Sequence, residues 1–156
     1  MDGPWSLDVA RLRQYDFWMR YTFTQGQDPR STLVVDTCDK IDEPTLMQFK
    51  QFLYENGCAN GILFDLQRSL ILRDTFTDMS AESFEAKEGP STEELLATLG
   101  IHNIGSLGHR VATWLSLLSS RWDSAIPKNS ELAAELLYDI VPAAAGANMH
   151  VWATAA

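Results

Sequence analysis

Two aspartates, Asp16 and Asp36, lie where their carboxylates could bind a divalent metal ion. Each falls in a stretch with the apolar pattern of a β-strand, at residues 15–24 and 32–37. Metal-dependent cleavage of a phosphodiester needs such carboxylates and commonly a lysine that activates the attacking water. If the strands pair as an antiparallel hairpin around Gly26, the two carboxylates approach each other as candidate metal ligands. The alternative is that both are polar residues on exposed strand faces, or that Asp36 ends its strand in an Asx turn.

The position that this chemistry assigns to a lysine, two residues after Asp36, holds Cys38. Residues two apart on a strand share a face, so Cys38 points the same way as Asp36. A neutral thiol supplies no positive charge and cannot take over the role of the lysine. Lys40, two residues further on, and Lys50, in the following segment, are the two candidates that could restore it. For Cys38 itself we favour the role of a small buried hydrophobic side chain.

Two other sets of residues match catalytic patterns only superficially. The string Glu85-Ala86-Lys87 has the acidic-x-Lys pattern, but its flanks lack the apolar run of a strand, and we interpret it as a coincidence in a loop. The histidines at positions 102, 109 and 150 have no carboxylate or cysteine at ligand spacing. That spacing favours roles on helix surfaces or helix ends over metal binding.

The elements that would position the two aspartates follow in a simple order. After the two strands, Asp42, an acidic residue and Pro44 stand in the order of a helix start, and the helix is predicted to end near Asn56. A hairpin follows, with strands at residues 61–65 and 70–76. This order predicts a sheet with one central helix packed against it.

The second half of the chain has a different pattern. Between residues 77 and 90 no period holds and acidic residues dominate, which predicts an acidic connection. A capping box at residues 91–94 opens a helical region, and a longer helix is predicted from Leu107 to Trp122. Residues 149–152 could add an edge strand or pack as an anchor.

Together these patterns predict an α/β, or α+β, fold with a mixed sheet of four to five strands, a central helix and a C-terminal helical bundle. We expect one domain over residues 1–156. Its parts are a core at 10–76, the acidic connection at 77–90 and a helical C-terminal part at 91–156.

Composition limits the classes of partner. The formal net charge of −9 disfavours nucleic acid, because binding to phosphates draws on basic side chains. A hydrophobic content of 46% suits apolar surfaces that bind a protein partner.

Two cysteines, Cys38 and Cys58, without paired spacing indicate reduced thiols in a cytoplasmic protein. The sequence has no apolar run of about 18 residues, so we expect no membrane-spanning helix.

The arrangement resembles the PD-(D/E)XK nuclease superfamily, and in particular the nuclease-like N-terminal region of type I restriction enzyme R subunits. The matching segments are Gln14-Tyr-Asp16-Phe-Trp18, Leu33-Val-Val-Asp36-Thr-Cys38 and, for a helical Gln-x-x-x-Tyr motif, Gln48-Phe-Lys-Gln-Phe52. The resemblance covers residues 10–76 and implies a restriction-endonuclease-like core. The site residues that it implies are Asp16, Asp36, Lys40, Lys50 and Gln48.

The chain departs from the family pattern at the active site. No proline precedes Asp16, Phe52 replaces the tyrosine, and Cys38 replaces the catalytic lysine. We therefore expect a nuclease-like module with a degenerate active site, which needs no cofactor and binds a protein partner in a larger bacterial-type assembly for DNA processing or defence. The alternative is a metal-dependent phosphodiester hydrolase, a DNA endonuclease or exonuclease, in which the two aspartates bind Mg²⁺ or Mn²⁺ and Lys40 or Lys50 assists the water.

Overall fold

The computed structural model describes residues 5–6, 19–128, 133–134 and 136–154. The strands are β1 (Trp5–Ser6), β2 (Met19–Thr24), β3 (Ser31–Thr37), β4 (Asn60–Phe64), β5 (Ser69–Asp74), β6 (Phe84–Glu88) and β7 (Asn148–Thr154). The α-helices are α1 (Glu43–Glu55), α2 (Thr92–Leu96), α3 (Leu107–Ser120), α4 (Trp122–Ala125) and α5 (Val141–Ala144). Short 3₁₀ segments occupy Ala81–Ser83 and Ala97–His102, and a π-helical turn occupies Leu136–Ile140.

The strands form one mixed sheet in the order β1-β7-β2-β3-β4-β5-β6. Among these described strands, β3 and β4 pair in parallel, and every other neighbouring pair is antiparallel. A parallel pair needs a crossover connection, and α1 supplies it. The α/β, or α+β, class is confirmed. The expected count of four to five strands is wrong, because six strands have five to seven residues and β1 adds a two-residue pairing.

The hairpin of β2 and β3 has the predicted antiparallel pairing. The side chains of Met19, Tyr21 and Phe23 are buried on one face of β2, as their alternation predicts. The chain reverses through Gly26, whose φ of 57° lies in the left-handed region that favours glycine. In this register Arg20 lies directly opposite Asp36.

Helix α1 begins and ends where its capping residues predict. The Asp42 side chain accepts a hydrogen bond of 2.9 Å from the backbone amide of Thr45, and Asn56 is the C-terminal cap. Phe49 and Leu53 face the sheet and are buried. The helix therefore covers one face of the central strands.

The predicted acidic connection contains a strand, β6, which pairs with β5 at the edge of the sheet. Glu85 and Lys87 are exposed, while Phe84 packs into the core. The interpretation of Glu85-Ala86-Lys87 as part of a loop is therefore wrong. An edge strand with one covered face needs few apolar residues, and charged side chains on it disfavour pairing with other chains. For this reason the sequence of β6 resembles that of a polar connection.

The C-terminal part is not purely helical, because β7 lies between β1 and β2 in the sheet. Its register places Trp152 opposite Arg20 and His150 opposite Thr22. Of the two alternatives for residues 149–152, a strand is observed, but it lies between β1 and β2 and is not the expected edge strand. The strand pairs along the whole of β2 rather than making a marginal contact.

Two apolar clusters lie on opposite faces of the sheet. The larger packs alternate residues of β2 to β5 against the C-terminal helices, and in it Trp114 meets Phe64 edge-on with ring centroids 5.9 Å apart. The smaller packs Val34, Leu63 and Leu72 against α1. None of the described helices is long and apolar enough to cross a bilayer.

Candidate functional site

Asp36 is held by Arg20 through both of its carboxylate oxygens. Arg20 Nε donates to Oδ1 at 2.7 Å and Nη2 donates to Oδ2 at 2.7 Å. The guanidinium also lies over the ring of Phe52, with Cζ 3.5 Å from the ring centroid. Arg20 and Asp36 are 6% and 7% exposed. The candidate metal ligand is therefore one half of a buried, bidentate ion pair.

Burial and charge act in opposite directions on this carboxylate. Burial raises the pKa of Asp36, while the positive charge of Arg20 and its hydrogen bonds lower it. Two charges removed from water together depend on each other, because loss of one leaves the other buried and unpaired. Displacement of Arg20 from Asp36 by a metal ion is therefore unfavourable.

The cross-strand neighbour of Asp36 on β2 is Arg20 rather than a second acidic residue. Asp16 lies outside the described residues, so the predicted approach of Asp16 to Asp36 stays a prediction. Among the residues that the structure describes, no three or more His, Cys, Asp and Glu side chains are grouped so that they could hold a metal ion.

The other residues of the predicted site lie in different environments. Lys40 is exposed in the segment that precedes α1, and Gln48 is exposed on α1. Lys50 is half-buried on the same helix. The buried face of this helix is formed by Phe49 and Leu53 instead.

Cys38 is a buried side chain within the smaller apolar cluster, and this interpretation is confirmed. Its thiol donates to the carbonyl oxygen of Phe64 at 3.4 Å. Burial, and then the negative charges of Asp65, Asp36, Asp42 and Asp39, raises the pKa of Cys38 to about 12. Burial also raises the pKa of Cys58 to about 11. Both groups are therefore protonated at neutral pH.

A second buried aspartate, Asp65, directly follows β4. Its carboxylate accepts hydrogen bonds from the backbone amides of Ile41, Gln67 and Arg68, at 3.1, 2.8 and 2.7 Å. These bonds fix the turn between β4 and β5 and tie it to the segment before α1. Sequence reasoning missed this residue, although an aspartate before a tight turn is a signal for an Asx turn.

The three histidines differ in their settings. His102 and His109 are exposed in helical segments, as predicted. His150 is on β7 instead, where its Nε2 lies 3.2 Å from the hydroxyl of Thr24. The expectation of a helix role is therefore wrong for His150.

Sequence reasoning also missed a cleft of about 510 Å³ beside the ion pair. Its floor is formed by side chains of β2 and β7, one wall by α1 and the rim by the β2–β3 turn. The lining includes Thr22, Thr24, Phe52, Asn56, His150 and Trp152. No local pattern signals this cleft, because strands distant in sequence create it.

The segment at residues 75–80, which we call the 75–80 loop, presents two large apolar side chains to solvent. Phe76 is 77% exposed and Met79 is 90% exposed. The hydroxyl of Tyr54, on α1, donates to the carbonyl oxygen of Met79 at 2.8 Å. The amide of Phe76 donates to Asp74 Oδ1 at 2.8 Å. The loop is thus held in place while its apolar side chains stay uncovered by the described residues.

Replacement of Arg20 by Met should lower the free energy of unfolding by about 3–5 kcal/mol, because Asp36 is left buried without its partner. Adding Asp36→Leu should recover most of that loss. Urea denaturation measures both values. Arg30→Met is the matched control, because it removes an exposed pair with Asp28 and should cause no measurable change. Equal stability of the Arg20 variant and the wild type would contradict a buried ion pair.

The two thiols should be almost inert towards alkylating reagents in the folded protein at pH 8, because the thiolate is the reactive form and both pKa values are raised. In urea both should react at the ordinary rate of a free cysteine. Mass spectrometry after timed exposure to iodoacetamide counts the labelled sites, and Cys38→Ser identifies the contribution of Cys58. Rapid labelling of native Cys38 would show that it is accessible and ionised.

Comparison of the chain with protein-family models, with curated proteins and with solved structures finds no match.

Proposed function

We propose that this protein is a non-catalytic, nuclease-like module that binds a protein partner within a larger assembly for DNA processing or defence. The observation that carries the non-catalytic part is the ion pair in which Arg20 holds both oxygens of Asp36. The resemblance at residues 10–76 supplies the setting. Along the chain, β2 and β3, helix α1 and the hairpin of β4 and β5 follow in that order.

Hydrolysis through Asp36 would require a rearrangement of this pair. A metal ion bound by Asp36 would displace the guanidinium, and Arg20 would lose both of its hydrogen bonds to this carboxylate while it stays buried. Cys38 cannot assist the attacking water, because its thiol is buried and donates to a backbone carbonyl. These contacts favour the non-catalytic module over the alternative, a Mg²⁺- or Mn²⁺-dependent endonuclease or exonuclease that uses Asp16 and Asp36.

The 75–80 loop supports the protein-binding part of the proposal. Large apolar side chains on a fixed scaffold are typical anchors of protein interfaces, because little conformational entropy is lost when they bind. Here the loop is fixed by bonds of Asp74 to the amide of Phe76, at 2.8 Å, and to the hydroxyl of Ser83, at 2.6 Å. Ser80 also donates to Asp78 at 3.1 Å.

Phe76 adds a further argument, because it is unfavourable for stability. Its φ of 57° lies in the left-handed region, which costs a residue with a side chain about 1–2 kcal/mol. Because the ring is exposed, burial of its apolar surface offsets little of that cost. Residues 74–83 contain three carboxylates, those of Asp74, Asp78 and Glu82, and no Lys or Arg. The loop therefore suits a partner with an apolar pocket bordered by basic side chains.

We expect purified protein to cleave neither single- nor double-stranded DNA in Mg²⁺ or Mn²⁺ above the background of an Asp36→Asn control. Gel assays over a time course measure the cleavage. Thermal unfolding of the control checks that it is folded, because this substitution weakens the ion pair. Robust cutting by the wild type that disappears in Asp36→Asn would overturn the non-catalytic proposal and restore the nuclease alternative.

Phe76→Asn should raise the free energy of unfolding by about 1 kcal/mol, because asparagine tolerates the left-handed conformation better. The same change together with Met79→Ser should weaken binding to the partner at least tenfold. Leu66→Ser, which removes another exposed apolar side chain, is the matched control.

The partner can be identified by photocrosslinking from position 76 in the host cell and then purified. Calorimetry with the two pure proteins tests the interface, and at least a tenfold loss of affinity in the double variant is expected. Equal affinity of the double variant and the Leu66→Ser control would contradict this surface.

A further inference from the structure

We propose that the cleft between β2, β7 and α1 binds a small, uncharged, planar heteroaromatic compound. This inference is independent of the proposed protein-binding function and uses a different surface. The volume of the cleft, about 510 Å³, lies within the range of pockets that hold small ligands.

The cleft combines aromatic surface with hydrogen-bonding groups. The ring of Phe52 and the indole of Trp152 are both half-buried and line it from α1 and β7. The uncharged polar residues of the lining include Thr22, Thr24, Gln27, Ser31 and Asn56, together with the imidazole of His150. A flat ring with donors and acceptors at its edge matches both properties, since its face packs on aromatic surface and its edge replaces water at the polar groups.

The Arg and Asp side chains that line the cleft are already paired within the protein, and the further titratable side chain of the described lining, His150, contacts the Thr24 hydroxyl. Arg20, at one end, is paired with Asp36, and Asp28, at the rim, is paired with Arg30 through two side-chain hydrogen bonds of 3.2 and 2.9 Å. A charged ligand would lose its hydration without gaining a new ionic partner from these residues. The lining therefore selects against anions and cations and favours an uncharged ligand.

Hydrogen bonds between its side chains hold the floor of the cleft in one arrangement. The indole nitrogen of Trp152 donates to the hydroxyl of Thr22 at 3.1 Å. The Thr24 hydroxyl lies 3.2 Å from Nε2 of His150. Each bond joins a residue of β2 to a residue of β7. These four side chains are therefore already ordered before a ligand binds. Such preorganisation reduces the entropic cost of binding.

A base of a nucleic acid strand is a chemically related occupant, but the electrostatics oppose it. Binding of a polynucleotide draws most of its affinity from cations at the phosphates. The two charged residues among the described lining of the cleft, Arg20 and Asp28, are each paired, and the whole chain carries a net charge of −9. A free heterocycle is therefore the favoured occupant.

Nuclear magnetic resonance titration of the full chain tests this proposal with nicotinamide and uracil as probes. The indole N–H signal of Trp152, assigned by its loss in Trp152→Phe, and the backbone amide of Thr24 are the reporters. We expect at least one probe to give a saturable shift with a dissociation constant of about 10 mM or tighter. Nicotinate, which has nearly the same shape as nicotinamide but is an anion, should bind about tenfold more weakly.

Variants locate the binding site within the protein. Trp152→Leu and Thr24→Val should each weaken binding about tenfold, because one loses the aromatic surface and the other a hydrogen-bonding group. Thr113→Val, which removes a hydroxyl from α3 outside the cleft, is the matched control and should not change the affinity. Thermal unfolding of every variant checks that each is folded.

Three results would overturn the proposal. They are the absence of any saturable shift with the neutral probes, equal affinity for nicotinamide and nicotinate, and unchanged binding in both cleft variants. Binding of a thymidine oligonucleotide at least tenfold tighter than uracil, at physiological salt, would instead identify a nucleic acid strand as the occupant. None of these results would bear on DNA cleavage or on the 75–80 loop, so the two proposals fail independently.

Discussion

The buried pairing of Arg20 with Asp36 is the constraint on which the rest of this arrangement depends. It joins β2 to β3 at their cross-strand position, and the guanidinium packs on Phe52 of α1. One interaction thus fixes two strands and a helix relative to one another. Both oxygens of the carboxylate that resembles a metal ligand bind the guanidinium.

The sheet has two differently covered faces, and the difference creates the cleft. The C-terminal helices pack on one face, over a cluster that includes Tyr21, Val35 and Phe64. On the other face α1 packs over Val34, Leu63 and Leu72. Beyond the edge of α1 the same face carries the polar and aromatic side chains of β2 and β7, which line the cleft. The apolar surface under α1 and the floor of the cleft therefore belong to the same face of the sheet. The edge of α1 separates them.

Local signals predicted β2 to β5 and α1, because strand alternation and helix capping depend on neighbours in the sequence. Asp42 as N-cap and the alternation of Met19, Tyr21 and Phe23 are the clearest cases. The strand β6 was not predicted, because Glu85 and Lys87 hide its apolar pattern. The strand β7 was predicted only as one of two alternatives, because it is stabilised by pairing with strands distant in sequence. The ion pair could not be predicted either. Arg20 and Asp36 are 16 positions apart in the sequence, and only the register of the hairpin places them opposite each other.

The position of β7 also affects how the molecule acquires its structure. Thr24 pairs with Asn148, so partners in adjacent strands are 124 positions apart in the sequence. During synthesis β2 can pair early with β3, but its other edge has no strand beside it until residues 148–154 have emerged. Such an edge offers free amide and carbonyl groups to other chains, and closure over so long a separation is slow. Nascent chains are therefore vulnerable to association through β2 up to the last step of sheet assembly.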